Sequence, residues 1–471
     1  MIKNYNIMKL FRILLLFAIL LSISSCQSDV EKADSLRLEN KFDEAAQLYQ
    51  QAADEGDAYA MWRLSKAYGN GDGVDFNQEK AFELLKKAAK GGCKEAECDL
   101  ALAYMFGWFG INAEPAKGKK MFDELIKDQD NSYIQARYAG LLLSGADGLY
   151  EKNAEKGLRI LKQIKDKDNP FYLYLEGTVY ATGIEDIDRD YSKAIDYFTQ
   201  SYEKGGRYCA SIIAQIYFDK NNKELYNIEK GIEWLKKGVK SNSTDAMLML
   251  SSLYLISEND SVFKSYRNPN KGIELLEKAA SHGSGKAYYR LADEYYSGLN
   301  VSKDDHQYYE YNKKAYELGD ASGANNLGAA YANGTGCEKN VHKAIDIWEK
   351  AVKLGCGYAA INLYRCYRYG RDGLPKNFDR EKAKYYLLEG ARLNDPTACC
   401  LLSYQYYPGG DLFDQNADQA FIYAKKSADA GNVDGCMRVA YLLDHGIGCD
   451  KDPQEAQKYR DKYEVQKKEN E

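Results

Sequence analysis

The residues with the most chemical promise lie in "GNGDGVDFN", 69–77, where Asp72 and Asp75 stand among three glycines. Acids and flexible backbone in one short loop suit a calcium ion, and glycine-rich backbone suits a phosphate. The stretch lacks the terminal Glu at position twelve that a calcium loop needs to close its cage. A second stretch, "HGSGKA" at 282–287, sets Lys286 behind two glycines. It has neither the G-x-x-x-x-G-K-S/T spacing nor a preceding strand, so nothing would cradle a nucleotide. No H-E-x-x-H, G-x-S-x-G or C-x-x-C occurs, which removes the common zinc and serine-nucleophile patterns. The four histidines, His282, His306, His342 and His445, are scattered. Paired acids on exposed helices serve as solvated faces or as partners for lysine. The sequence therefore predicts no enzyme, cofactor or metal site. A hydrolase is a remote alternative that would need a histidine and acids gathered from neighbouring segments.

Stepping outward, the acidic loop recurs without its acids. Residues 68–92 align without a gap on 331–355, "YANGTGCEKNVHKAIDIWEKAVKLG". Tyr68, Gly71, Gly73, Asn77, Lys80, Ala81, Ala88 and Gly92 match Tyr331, Gly334, Gly336, Asn340, Lys343, Ala344, Ala351 and Gly355, while Thr335 replaces Asp72. A kept frame with lost acids reads as a turn. The Lys-Ala step of this frame recurs at Lys80, Lys117, Lys156, Lys193, Lys230, Lys271, Lys343 and Lys382, with Glu44, Gln307, Gln419 and Glu455 in the same slot. Its spacing runs from 36 residues, Glu44 to Lys80, to 41, Lys230 to Lys271, where an insertion near 257–269 is expected.

Each unit reads as two helices. Ala60, Leu64, Ala67 and Tyr68 fall on one helical face, and Ala81, Leu84, Leu85, Ala88 and Ala89 on another. Glycines between them end the first helix, and Asp75 or Asn77 can cap the second. The fold class predicted is all-α, an α-solenoid of about eleven to twelve helix-turn-helix repeats. One helix pair cannot bury its own apolar face, so stacked neighbours must complete it, giving one continuous body.

The pattern A-x-x-x-L-G-x-x-Y-x-x-G-x-G-V, then K-A-x-x-W/Y, then A-A-x-x-G, resembles the Sel-one-like repeat, a relative of the tetratricopeptide repeat. "NNLGAAYANGTG", "KAIDIWEKAVKLG", "WRLSKAYGNGDG" and "KGIELLEKAASHG" carry the resemblance. "IIAQIYFDKNNKELYN" and "YQYYPGGDLFDQN" depart from it at the glycine turn. The resemblance implies an adaptor or assembly platform without chemistry of its own.

The chain's start stands apart. Lys3, Lys9 and Arg12 precede an apolar run from Ile13 to Leu21, and "ISSC" follows. Short apolar length and charged flank describe a signal peptide. Small residues before Cys26 resemble a bacterial lipobox, which implies cleavage after residue 25 and acylation of Cys26. The expected layout is a signal peptide at 1–25, a lead-in at 26–40, the solenoid at 41–465 and a polar tail at 466–471. The expected location is the cell envelope, lipid-anchored, with "QSDVE" suggesting the outer membrane. Losing 1–25 would make the net charge of −6 more negative by three. Such a surface repels phosphate backbones, so nucleic acid is an unfavoured partner. Ten cysteines remain after Cys26, and their spacing leaves disulfides and buried thiols both open.

Tyrosine is abundant, at 41 residues. Tyr68, Tyr104, Tyr180, Tyr217, Tyr295 and Tyr331 occupy one repeat position and are expected in the core. Trp108 and Phe109, in "YMFGWFGIN", instead take a turn position, where exposed aromatics could anchor a partner. "YYEYNKKAY" and "YRCYRYGRDG" place Tyr308, Tyr309, Arg365 and Arg368 off the core register. These six residues are the candidate partner contacts. The partner expected is a protein or peptide in the solenoid groove, with envelope glycan as the alternative.

Overall fold

A computed structural model describes residues 29–146, 148–256, 262–370 and 379–470. The repeat 58–93 shows how the sequence makes a helix pair. Asp57 caps the helix Ala58–Asn70 by accepting from the Ala60 amide at 2.7 Å. Gly71, at φ +66°, ends it in the left-handed conformation that a side chain would disfavour. Asn77 caps the next helix, Gln78–Lys90, accepting from the Lys80 amide at 2.8 Å. The cap's own N–H donates to the Tyr68 carbonyl at 2.9 Å, and Asn340 does the same to Tyr331 at 2.7 Å. The Lys-Ala step is thus the third helical residue behind an Asn or Asp cap. Asn153, Asp190, Asn227, Asn268, Asp304, Asp379 and Asn416 repeat the device.

Gly73 has a different reason for its identity. At φ +69°, a Cβ there would land on the Phe42 carbonyl, where the preceding repeat's helix begins. Gly336 and Gly448 meet the Asp305 and Ala417 carbonyls in the same way. The first glycine of the G-x-G turn ends a helix, and the second lets two repeats approach.

In chain order the helices are α1 (29–38), α2 (Phe42–Asp54), α3 (Ala58–Asn70), α4 (Gln78–Lys90), α5 (Lys94–Phe106), α6 (Pro115–Leu125), α7 (Ser132–Ser144) and α8 (Ala154–Gln163). Then follow α9 (Pro170–Thr182), α10 (Tyr191–Glu203), α11 (Cys209–Phe218), α12 (Ile228–Lys240), α13 (Thr244–Tyr254) and α14 (Pro269–Ser281). The remainder are α15 (Gly285–Ser297), α16 (Asp305–Glu317), α17 (Ala321–Asn333), α18 (Val341–Lys353) and α19 (Gly357–Tyr369). Last come α20 (Arg380–Arg392), α21 (Pro396–Gln405), α22 (Ala417–Asp429), α23 (Val433–His445) and α24 (Pro453–Asn470). Among the described residues no strand forms. Ala146–Tyr150 and Ile184–Ile187 are isolated bridges within turns. No helix of the described residues is long and apolar enough to cross a membrane.

Three boundaries differ from the sequence reading. The lead-in is already part of the array: α1 buries Val30, Ala33 and Leu36 against Ala45 and Tyr49. The expected tail is helical, because α24 continues to Asn470. The expected continuous body divides into two compact units, one ending at Ser284 and the other starting at Gly285, inside "HGSGKA".

The first unit contacts itself through the acidic turn. Asp72 accepts from the Arg207 guanidinium at 2.8 Å and from the Asn242 amide at 3.3 Å. His282 Nδ1 lies 2.8 Å from the Asn70 carbonyl oxygen, and Phe76 fills the space beside Gly283. The loop is therefore a turn, as the sequence indicated. Its acid holds distant repeats of this unit together, which explains why Asp72 has no counterpart at Thr335.

The repeat tyrosines are half-buried rather than fully interior. The lysine of the Lys-Ala step covers the open ring face: Lys80 lies 4.0 Å from the Tyr68 centroid, Lys117 3.5 Å from Tyr104, and Lys193 5.1 Å from Tyr180. A cation over an aromatic face adds about 0.5–1 kcal/mol at such exposed sites. All ten cysteines of the described residues are free thiols, seven of them buried.

Candidate functional site

Successive odd-numbered helices touch directly, α3 with α5, α5 with α7 and α7 with α9 in the first unit, and α15 with α17, α19 with α21 and α21 with α23 in the second. These helices form the inner layer of each unit, and their side chains set its chemistry.

In the first unit that layer carries a strip of cations and aromatic rings organised by two carboxylates. Asp34 on α1 accepts from the Tyr49 hydroxyl at 2.6 Å and the Tyr59 hydroxyl at 3.1 Å, and pairs with Arg63 at 3.0 Å. Asp99 on α5 accepts from the Trp62 indole at 2.8 Å and the Tyr133 hydroxyl at 2.6 Å, and pairs with Lys66 at 3.1 Å. Arg63 lies 4.8 Å from the Trp62 ring and Lys66 4.7 Å from it. Arg137 on α7 donates to the Tyr133 hydroxyl at 3.0 Å and stands 4.2 Å from the Phe171 ring on α9.

The electrostatics are those of a partly desolvated wall. Burial is the largest influence on Lys66 and lowers its pKa below 10.5; it outweighs the pull of Asp99, and Arg137 and Arg63 push the same way. Yet the Lys66 side chain keeps 35% of its surface exposed, against 7% for Asp99. Burial alone would raise the Asp99 carboxyl. Lys66, Arg137 and the hydrogen bonds from Tyr133 and Trp62 outweigh it and hold the group below 3.8. Burial raises the Tyr59 hydroxyl to about 12. The wall therefore presents partly exposed cations and ring faces, with its carboxylate Asp99 held ionised.

The second unit is built differently. Asn326 donates to Asp293 at 3.2 Å, Asn325 to Asn326 at 3.2 Å, and Asn362 to Asn325 at 3.0 Å. This inner layer is an amide ladder. Further along, Arg438 is only 6% exposed and lies 4.3 Å from Tyr404 and 4.4 Å from Tyr407, with Nε bonded to Ser403 Oγ at 3.2 Å.

The sequence candidates are not brought together. Trp108 is 40% exposed and stacks on equally exposed Phe106, ring centroids 6.1 Å apart. Phe109 turns inward at φ +61° and packs on Phe82 and over Gly69, so its half-buried ring serves the core. Tyr308 is also a correction: it is 6% exposed, 4.8 Å from the Tyr296 ring. Tyr309 is half-buried and hydrogen-bonded to the Tyr331 hydroxyl at 2.8 Å. Arg368 pairs with both Asp411 oxygens, at 2.8 and 2.7 Å, while Arg365 is exposed. Cys26 lies outside the described residues.

The strip of the first unit escaped the sequence reading. Its signal was present in "WRLSKAYGNGDG", where Trp62, Arg63 and Lys66 fall off the apolar register. Their partners Asp99 and Tyr133 stand on the next two first helices.

A depression of about 610 Å³ beside α10 collects Asp186, Asp188, Arg189, Lys193 and Glu224, with no histidine. His282 and His445 face backbone carbonyls, and among the described residues no group of three or more His, Cys, Asp or Glu could hold a metal.

Helix pairs stacked repeat upon repeat define a helical-repeat solenoid. The chain belongs to the Sel1 repeat family, whose repeat matches residues 38–57, 58–93, 94–125, 172–206, 223–243, 244–284, 285–320, 321–356, 357–395, 396–432 and 433–459. Sel1 repeat proteins are protein-interaction scaffolds and generally non-catalytic. The chain is 29% identical to chitin synthase regulatory factor 3 of Schizosaccharomyces pombe over 148 residues, 31% of this chain and 16% of that protein. It is 25% identical to chitin synthase regulatory factor 4 of the same yeast over 294 residues, 62% and 42% respectively. The chain thus spans less than half the length of these relatives. A protective antigen of uropathogenic Escherichia coli with an SLR fold aligns at 20% identity over 90% of each chain, with a TM-score of 0.42.

Proposed function

We propose that the protein is an exported, lipid-anchored interaction scaffold that holds a protein or peptide partner on the inner layer of its first unit. The observation that carries this reading is the strip Tyr59, Arg63, Lys66, Tyr133, Arg137 and Phe171. Arginine and aromatic residues dominate binding hot spots because each combines a large contact area with a directional group. Here they line three helices, α3, α7 and α9, around Asp99 of α5, and several keep open surface. The two yeast relatives are named as regulatory factors of another enzyme, which supports a role beside a partner. The anchor rests on Cys26 in "ISSC", and an acyl chain on that thiol would hold the body at the envelope, at the outer membrane.

The test is crosslinking in cells of the tagged full-length protein, with adducts identified by mass spectrometry. The reading expects one recurrent protein adduct that Lys66→Gln with Arg137→Gln removes. It also expects Cys26→Ser to move the protein out of the membrane fraction. Random adducts unaffected by these changes would reject the scaffold.

A second reading draws on Trp108 and Phe106. Their stacked, exposed rings form a platform of the kind that carries sugar rings, so an envelope glycan would dock there. Purified protein retained on isolated envelope glycan, and released by Trp108→Ala, would favour it.

A further inference from the structure

We infer that the partner segment held by the first unit is an acidic peptide, with spaced Asp or Glu side chains flanking an aromatic or aliphatic residue. This rests on the scaffold reading and adds the chemistry of what is bound. Four cations, Arg37, Arg63, Lys66 and Arg137, converge on the strip, and two carboxylates, Asp34 and Asp99, answer them. Both carboxylates are already spent on ion pairs and on hydrogen bonds from Tyr49, Tyr59, Trp62 and Tyr133. The cations also act on one another. Burial is the main cause that lowers Arg37 and Lys66; Arg63 pushes Arg37 the same way, and Arg137 and Arg63 push Lys66. Arg63 and Arg137 themselves are raised, against burial, by the tyrosines, Asp34 and Asp99. The buried Nε of Arg137 has no hydrogen-bond acceptor, while those of Arg63 and Arg37 face the same Asp34 oxygen at 3.0 and 3.9 Å without an aligned hydrogen bond.

Desolvated like charges repel and are stabilised only by counter-charge. The chain as a whole carries −6, so this excess is local and opposite to the general surface. A basic wall within an acidic molecule concentrates an anionic ligand at one place. Entering carboxylates would pair with Lys66 and the guanidinium groups, and the ligand's apolar residue would lie against Tyr59, Tyr133 and Phe171. The second unit places one buried cation, Arg438, among tyrosines and otherwise shows the amide ladder of Asn325, Asn326 and Asn362, so the cluster of four cations belongs to the first unit.

An extended nucleic acid would share the attraction to cations and rings. It fits less well, because Asp34 and Asp99 interrupt the strip and would repel a continuous run of phosphates. Spaced carboxylates can avoid them.

The experiment measures fluorescence anisotropy with the full mature chain and a labelled decapeptide of Glu and Leu with a central Phe. The comparison probes are the same peptide with Gln for Glu and a thymidine oligonucleotide. The expected result is at least tenfold tighter binding of the Glu peptide than of the Gln peptide. Lys66→Gln and Arg137→Gln should each remove most of that difference at unchanged circular dichroism, and Lys66→Arg should keep it. Equal binding of the two peptides, an unchanged preference in Lys66→Gln, or tighter binding of the oligonucleotide would each overturn the proposal. Should the partner adduct in cells persist while the acid preference is absent, the scaffold reading stands and this inference falls. Loss of both removes the two together.

Discussion

Trp62 donates its indole N–H to a buried Asp99 carboxylate oxygen at 2.8 Å, joining first helices of two consecutive repeats 37 residues apart. The same carboxylate takes the Tyr133 hydroxyl at 2.6 Å and pairs with Lys66 at 3.1 Å. One side chain therefore ties three repeats and holds Lys66 in place. Asp99→Ala leaves Lys66 facing Arg137 without its counter-charge. Breaking a fully buried pair from one side costs about 3 kcal/mol, and the exposed third of Lys66 brings the expected loss below that, to about 1–2 kcal/mol. Urea unfolding followed by circular dichroism should show that loss. An unchanged midpoint would mean that solvent already satisfies Lys66.

Acid should expose the same group. The folded-state pKa of Asp99 is depressed below 3.8. Its stabilisation is therefore present above the unfolded value and disappears as pH falls through the folded one. Asp99→Asn should flatten the dependence of stability on pH below about 4 and leave the neutral range with a smaller, constant deficit. Parallel curves for the two proteins would contradict this.

The caps set a second scale. Asn77 and Asn340 each hold the amide of the Lys-Ala step, at 2.8 and 3.0 Å. Replacing either with Ala should cost about 1 kcal/mol. Distant sites in a repeat array contribute almost independently, so the double variant should lose about the sum. Thermal unfolding of the two single variants and the double variant checks this.

The acidic turn should behave as a clasp. Arg207→Ala removes the main partner of Asp72. Hydrogen exchange should then rise in residues 70–76 and near Asn242, while the interior of α4 stays protected. A uniform rise would indicate general destabilisation instead.

Thiol chemistry offers an independent check on packing. Burial raises Cys93 to about 12 and Cys400 to about 11, far from a reactive thiolate at neutral pH. Ellman's reagent should titrate few thiols in the native protein. In denaturant it should reach all ten cysteines of the described residues. Fewer than ten would reveal disulfides.

The architecture was legible because it is written locally. Asn77, Lys80, Ala81 and Gly92 recur at one spacing, and each satisfies a helix end or a helix contact within its own repeat. Exposure was less legible. Phe109 and Tyr308 look like free surface in sequence, and the fold turns both inward, since burial depends on which neighbour leaves room. The groove strip was hidden for a related reason. Lys66 and Asp99 become partners only when two first helices lie side by side, and neither residue belongs to the repeat pattern. The clasp of Asp72 on Arg207 joins positions 135 residues apart, which no local rule contains.

On the proposed function, the inner layer of the first unit receives the partner. A photo-reactive phenylalanine analogue at Phe171, beside Arg137 on the inner layer, tests it against the same analogue at exposed Lys87 on α4. The account expects a discrete protein adduct in cells from position 171 and none from position 87. A discrete adduct from 87, with none from 171, would contradict it.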